Sequence, residues 1–271
     1  MRVEEHTIEV AGSPVFYRSA PRAGVPVLYL HGAPTSADDW TIFLERTGGI
    51  APDLIGFGRS SKGGHLDYSI DGHADFVEDL LDELSVTRIS LVAHDWGAAG
   101  GLAFAQRHPE RIERIVLIDA LPLLPDFHWH RLAQLVRRPV IGELIMGSIN
   151  RRLLARWLRR GAAHPGAWPG ARLDSEWKHF DQGTQRALLR LHRSADEARL
   201  AQAGAGLGDV RAPALILWGE QDPWLPAAFA DAYGAALPGA SVQRIAGAGH
   251  WPWLEDESVL GTVATFLEPT G

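Results

Sequence analysis

Asp95 is the residue whose setting points most directly to chemistry. It sits in Val92-Ala93-His94-Asp95-Trp96-Gly97-Ala98, after an apolar run from Ile89 to Ala93 and before a small-residue helical stretch from Ala98 to Gln106. A strand that turns sharply into a helix exposes the side chain at the turn, the context of a G-x-S-x-G nucleophile elbow. A serine there, with a histidine base, attacks acyl carbons. A carboxylate instead displaces a leaving group from a saturated carbon and leaves an alkyl ester that water then cleaves. Gly219-Glu220-Gln221-Asp222-Pro223 offers Asp222 as an acid, and Gly247-Ala248-Gly249-His250-Trp251-Pro252 offers His250 as a base. Each follows an expected strand, and the order nucleophile, acid, histidine is the one this elbow uses. His31-Gly32-Ala33-Pro34 follows Val27-Leu28-Tyr29-Leu30 and supplies a backbone N–H for a developing oxyanion. Pro34 suits a tight turn there, including one with a cis peptide.

The surrounding pattern states what must hold these groups. Thr7 to Val10 and Val15 to Arg18 flank Gly12-Ser13-Pro14 and read as a hairpin. A buried strand is expected at Val27 to Leu30, a weak strand at Gly49 to Asp53, and further strands at Ile89 to Ala93, Arg114 to Ile118, Ala214 to Trp218 and Ser241 to Ile245. Helices are expected at Trp40 to Arg46, Ser69 to Leu84 and Asp256 to Leu267. Strands alternating with helices predict an α/β protein with a mainly parallel sheet covered on both faces. Residues 121–208 break the alternation with helical patterns rich in Arg, Leu and Trp. They open at Pro122 and Pro125 and close at Gly204-Ala205-Gly206-Leu207-Gly208. The expected organisation is a core of residues 1–120 and 209–271, with 121–208 as a helical cap over the carboxyl edge of the sheet, where such sheets place their sites.

Composition narrows the possibilities. A chain of 271 residues, 46% hydrophobic, suits one large α/β unit. A net charge of −7 argues against nucleic acid as a partner. Without cysteine there is no disulfide, thiol catalysis or cysteine zinc site. Acidic residues stand where a leader would need an apolar stretch, and no apolar run approaches the ~18 residues of a membrane span. The expectation is a cytoplasmic protein with no membrane partner, acting on a small molecule and water. Lysine occurs only at 62 and 178, the other 24 basic residues being arginine, which we read as the bias of a GC-rich genome rather than thermophily.

On these motifs the chain resembles the haloalkane dehalogenases and epoxide hydrolases, the aspartate-nucleophile branch of the α/β-hydrolases. His31-Gly32-Ala33-Pro34-Thr35-Ser36, Asp53-Leu54-Ile55-Gly56-Phe57-Gly58-Arg59-Ser60 and His94-Asp95-Trp96-Gly97 carry the likeness, which covers nearly all of the chain outside the insertion. It implies the α/β-hydrolase fold, an eight-stranded sheet with a helical cap, and catalysis through an ester on Asp95. It also implies Asp222 orienting His250, His250 activating water, and the N–H groups of Ala33 and Trp96 as the oxyanion hole, with no metal or organic cofactor. Some dehalogenases draw the acid from the place of Asp119, which keeps Asp119 open as an alternative to Asp222.

The leaving group separates the two chemistries. An epoxide hydrolase usually supplies tyrosines from its cap, but the four tyrosines here, at 17, 29, 68 and 233, all lie outside it. His128, His130, His164, His179 and His192 lie inside it and could substitute. A dehalogenase donates the indole N–H of Trp96 to halide, and indole is a donor only. Its second donor is commonly an asparagine at the place of Ala33, or a cap tryptophan. Trp129, Trp157, Trp168 and Trp177 are available, and Trp129 in Phe127-His128-Trp129-His130 is our preferred candidate. Trp96 and Ala99 stand where a fluoroacetate-type enzyme would need arginines, so a neutral, apolar substrate is expected. His94 reads as a packed histidine behind the elbow, residues 53–60 as a supporting loop, and Arg151, Arg152, Arg156, Arg159 and Arg160 as a solvated helix face. Gly100-Gly101 reads as a site of close helix–sheet approach. The contrasting function is a non-catalytic small-molecule receptor on the same fold.

Overall fold

The computed structural model describes residues 1–268, so the last three residues of the expected second core segment lie outside the described residues. Eight strands form one sheet: β1 (Glu4–Val10), β2 (Ser13–Ala20), β3 (Val27–Leu30), β4 (Gly49–Pro52), β5 (Ile89–His94), β6 (Ile112–Ala120), β7 (Ala214–Gly219) and β8 (Ser241–Ile245). Their order across the sheet is β1-β2-β4-β3-β5-β6-β7-β8. The pairs β1–β2 and β2–β4 are antiparallel, and the pairs from β4 through β8 are parallel. This is the α/β-hydrolase fold. Strands β3, β5 and β7 are buried along their whole length, as expected of parallel strands covered on both faces and written as continuous apolar runs.

Helices α1 (Thr41–Thr47), α2 (Ile70–Glu83) and α3 (Asp95–Arg107) connect the first parallel strands. Ser69 caps α2 by accepting from Gly72 N at 3.0 Å, and Ile70, Ala74, Val77, Leu80 and Leu81 form its buried face. Helix α3 packs on both α2 and the sheet. A Cβ on Gly101 would stand 3.0 Å from Leu30 and Leu91, and one on Gly100 would stand 2.8 Å from His73. The glycine pair therefore lets α3 approach α2 as well as the sheet.

Between β6 and β7 the chain forms six α-helices: α4 (Arg131–Arg137), α5 (Ile141–Ser148), α6 (Arg151–Gly161), α7 (Gly170–His179), α8 (Gln182–Ser194) and α9 (Glu197–Ala203). Helices α10 (Ala228–Ala236) and α11 (Ser258–Phe266) follow. Strand β6 is longer at both ends than the expected Arg114 to Ile118, because its carboxyl end continues beside the elbow through a parallel bridge of Ala120 with Asp95. Helix α10 had no counterpart in the sequence reading. Its run Ala-Phe-Ala-Asp-Ala-Tyr-Gly-Ala-Ala shows little amphipathic contrast, yet it lies on β7 and β8 and buries Tyr233. That hydroxyl donates to Leu121 O at 2.6 Å and accepts from Leu123 N at 2.9 Å, pinning the start of the helical segment to the core.

Candidate active site

The elbow is built where β5 becomes α3. Asp95 has φ = +46°, a left-handed backbone that costs a non-glycine residue on the order of 1–3 kcal/mol and that surrounding structure must hold. Gly97 permits the fold-back, since a Cβ there would stand 2.5 Å from the carbonyl oxygens of Leu30 and His31. The Asp95 carboxyl accepts from Ala33 N at 3.1 Å and from the backbone N–H of Trp96. Burial raises its pKa to about 6, against the lowering effects of His250 and these two N–H groups. The two donors already face a carboxyl oxygen, so no rearrangement is needed when charge grows on that oxygen.

The loop carrying Ala33 is tied down from below, and its Ala33–Pro34 peptide is cis. His31 donates from Nδ1 to Gly32 O at 2.7 Å and accepts at Nε2 from Leu54 N at 2.9 Å. Asp53 is fully buried and accepts from Ala37 N, Arg59 N and Arg59 Nε, each at 2.7 Å. Residues 53–60 therefore support the oxyanion loop without entering the site.

The turns after β7 and β8 bring Asp222 and His250 together. Asp222 Oδ2 accepts from His250 Nδ1 at 2.7 Å, while Oδ1 accepts from Trp224 N at 2.7 Å and Leu225 N at 3.1 Å. Burial lowers the His250 pKa, but the charge and hydrogen bond of Asp222, with the charge of Asp95, outweigh it and leave the imidazole raised. His94 lies behind the elbow and donates from Nε2 to His250 O at 2.8 Å. Burial, and then the neighbouring His250, hold its pKa well below the ordinary histidine value. It steadies the His250 turn as a neutral ring.

Asp119, at the end of β6 with φ = +40°, is also brought to this spot. It accepts from Gly219 N at 3.0 Å and hydrogen-bonds the Asp222 side chain. Burial and the Asp222 charge push its pKa well above the carboxylate range, so it is a neutral acid donating to Asp222. The bond to His250 belongs to Asp222. Asp119, Asp222 and His250 form the one cluster among the described residues with ligand atoms near enough for a metal, within 4.8 Å. The Asp222 and His250 atoms that face each other are already joined by a hydrogen bond, which suits a proton relay better than metal ligation.

Above Asp95 lies a narrow cavity of about 40 Å³, walled by Trp96, Trp129, Trp157, Trp224 and Trp251 and by His130 and His192. The Trp96 indole stacks on Trp129 at 5.6 Å and meets the His192 ring edge-on at 5.2 Å, and its N–H has no acceptor among the described residues. Trp129 corrects an expectation. It lines the cavity, but its indole N–H donates to Ala195 O at 2.9 Å, so it offers a ring face and not a donor to a leaving group. Trp168 is fully buried against Trp251, and Trp177 stacks on Phe180 away from the cavity. No tyrosine lines the cavity.

Two of the five inserted histidines reach it. His130 caps α4, accepting at Nδ1 from Ala133 N at 3.3 Å, which leaves its proton on Nε2. His192 donates from Nδ1 to Leu188 O at 2.9 Å, which leaves a lone pair on its Nε2. Burial lowers both to about 4, helped by His250 at His130 and by His130 at His192, so both rings are neutral near pH 7. Trp224 and Trp251 were missed in the sequence. The available signal was their place within the very turns that carry Asp222 and His250.

Comparison with known proteins agrees with this architecture. Residues 25–141 match the family model described as the alpha/beta hydrolase fold. A haloalkane dehalogenase from Agrobacterium fabrum is 34% identical over 140 residues, covering 48% of this chain and 45% of its own. The match thus spans less than half the length of that relative. A cis-3-alkyl-4-alkyloxetan-2-one decarboxylase from Shewanella oneidensis is 28% identical over 278 residues, covering 91% of this chain and 83% of its own. The crystal structure of a haloalkane dehalogenase from Bradyrhizobium elkani superposes with a TM-score of 0.84 at 27% identity, over 98% of this chain and 97% of that one. On these grounds the chain has the α/β-hydrolase fold and is similar to haloalkane dehalogenases in sequence over about half its length.

Proposed function

We propose that this protein hydrolyses small, neutral, apolar substrates through a covalent alkyl ester on Asp95, with a carbon–halogen bond as the bond broken. The observation that carries the reading is a buried carboxyl on a left-handed elbow, held by two backbone N–H groups, in a cavity that is also lined by Trp96, whose indole N–H has no acceptor among the described residues. The Asp95 carboxylate attacks the saturated carbon, and halide departs toward the Trp96 and His130 N–H groups. His250, oriented by Asp222, takes a proton from water, and the hydroxide attacks the carboxyl carbon of the ester. The oxyanion so formed rests on the N–H groups of Ala33 and Trp96, worth roughly 2.7–4 kcal/mol each in comparable sites. Collapse releases the alcohol and restores the carboxylate, so that alkyl halide and water become alcohol, halide and a proton.

The donors decide between leaving groups. Indole and neutral imidazole N–H groups stabilise an anion but give up a proton poorly. A halide needs no proton to leave, whereas the alkoxide of an opened epoxide does. The tyrosine-free cavity favours the halide for the same reason. A second reading keeps only the ester-forming step and changes the substrate to an oxetan-2-one: alkyl C–O cleavage frees a carboxylate, whose loss as CO2 with departure of the Asp95 carboxylate gives an alkene and needs no water. It is supported by the Shewanella relative, which matches nearly the whole chain. An epoxide hydrolase is the third reading, and a non-catalytic receptor is disfavoured by the complete hydrogen-bonded set.

The test is to trap the ester. His250→Gln, incubated with panels of haloalkanes, alkyl oxetan-2-ones and epoxides, should accumulate an adduct on Asp95 detectable by intact mass. A dehalogenated alkyl group lacks the oxygen that an opened epoxide keeps. No adduct from any panel would favour the receptor.

A further inference from the structure

The net charge conceals a division within the chain. Residues 121–208 hold 14 of the 26 Lys and Arg but only 7 of the 33 Asp and Glu, so this segment carries +7 and the remainder −14. Between residues 131 and 160 there are eight arginines and one acid, Glu143, which is already paired with Arg193. Arg131, Arg138, Arg152 and Arg156 have no ion-pair partner among the described residues.

Apolar exposure falls in the same place. Of nine large hydrophobic residues left exposed among the described residues, six lie between 132 and 153, with Val140 and Leu144 each 69% exposed. Leu132, Leu135, Leu153 and Trp157 line an open cleft of about 1080 Å³ between α4 and α6, with Arg131 and Arg156 among its walls. Val140 and Leu144 lie on the adjoining α5, which packs on α4. A monomer rarely exposes such a concentration of apolar residues without using it. His130, Trp157 and Trp224 line this cleft and the catalytic cavity alike, so the two openings share a wall.

We propose that the α4–α5–α6 face docks peripherally on an anionic lipid surface. Exposed leucines, isoleucine and valine enter the acyl boundary, and the unpaired arginines meet headgroup phosphates, the combination that holds an amphipathic surface at an interface. The expectation of no membrane partner rested on apolar run length, which does not register a peripheral patch. A second copy bound through the same face would set two arginine-rich surfaces against each other. Nucleic acid would leave the leucines unused and meet a core of charge −14. In the docked orientation the shared wall places the mouth of the catalytic cavity at the interface, where an apolar substrate concentrates. That last point rests on the proposed function, whereas docking itself does not.

The test is flotation of the full-length protein with phosphatidylcholine vesicles, with and without phosphatidylglycerol. Binding is expected to the anionic vesicles only, weakening as salt screens the arginines. Val140→Glu with Leu144→Glu should lower partitioning at least about tenfold, and Arg131→Gln or Arg156→Gln about fivefold each. Near-UV circular dichroism and cleavage of a short water-soluble haloalkane should match the parent for all of them, since these side chains lie on the outer surface. Equal binding to neutral vesicles, indifference to both sets of substitutions, or a dimer dissociated by the Glu pair would overturn docking. Failure of haloalkane cleavage alongside normal flotation would count against the proposed reaction and leave docking standing.

Discussion

The floor and the roof of the cavity are organised by different rules. In the floor, Asp95, Ala33, Asp222 and His250 each follow the carboxyl end of a strand, and their positions follow from hydrogen bonds and short loops. In the roof, Trp129 and His130 come from the segment entering α4, Trp157 from α6 and His192 from α8, and the Trp129 N–H is spent on Ala195 O, 66 residues along the chain. The floor is ionic and strained, whereas the roof is aromatic and neutral. In the proposed function the floor sets the reaction type, and the roof selects which bond is broken.

The largest expected effect strikes the floor alone. Asp95→Asn should reduce turnover by about 10⁴-fold or more, as loss of a nucleophile does elsewhere. It should also stabilise the fold near pH 7. The sign follows from the shift: a carboxyl at about 6 folded against 3.8 unfolded holds more protons in the native state. Stability is then highest below pH 3.8, falls as pH rises through that window, and is level above about 6. Asparagine avoids the loss, by about 3 kcal/mol for a shift of this size. Thermal unfolding at pH 7 and pH 4 checks both the sign and the window.

The two acids divide next. Asp222→Asn should cost about 10⁴-fold by disordering the His250 tautomer. Asp119→Asn keeps a donor toward Asp222 and an acceptor for Gly219 N, so the loss should stay within about tenfold, the scale of one hydrogen bond. Equal losses would mean that both carboxyls orient the histidine.

The roof is probed by two tryptophans in stacking contact. Trp96→Phe removes the N–H proposed to receive the leaving group and should slow ester formation about 10²–10³-fold. Trp129→Phe removes an N–H spent on Ala195 O, and single-turnover rates should stay within a few-fold. The reverse ranking would restore Trp129 as the donor.

The smallest effect is a pH profile. Single-turnover ester formation should show an acid limb near pH 6, that of Asp95, while His130 and His192, near 4, contribute nothing above pH 5. Forming the ester removes the Asp95 charge that helps raise His250, so the base becomes easier to deprotonate when it is needed. A limb near pH 4 would place Asp95 in a more solvated site.

This contrast also explains what could be read from the chain. Asp222 and His250 were legible because each motif follows a readable strand, apolar before Asp222 and mixed before His250, and strand ends converge at one edge of a parallel sheet. The helical character of residues 121–208 was legible from amphipathic spacing. The donor state of Trp129 was not, because its acceptor lies 66 residues away on another loop. Helix α10 escaped because alanine-rich sequence packs on a sheet with little periodic contrast. The neutral state of Asp119 depends on a second buried carboxyl that only the fold brings near.

The most direct measurement of the covalent mechanism is a single turnover in heavy-oxygen water, followed by mass analysis of the peptide containing Asp95 and of the product. If the ester forms and is cleaved at its carboxyl carbon, the label enters Asp95 and the first-cycle alcohol carries ordinary oxygen. Label in the alcohol with none in Asp95 would mean that water attacks the substrate directly, and the carboxylate would not be the nucleophile.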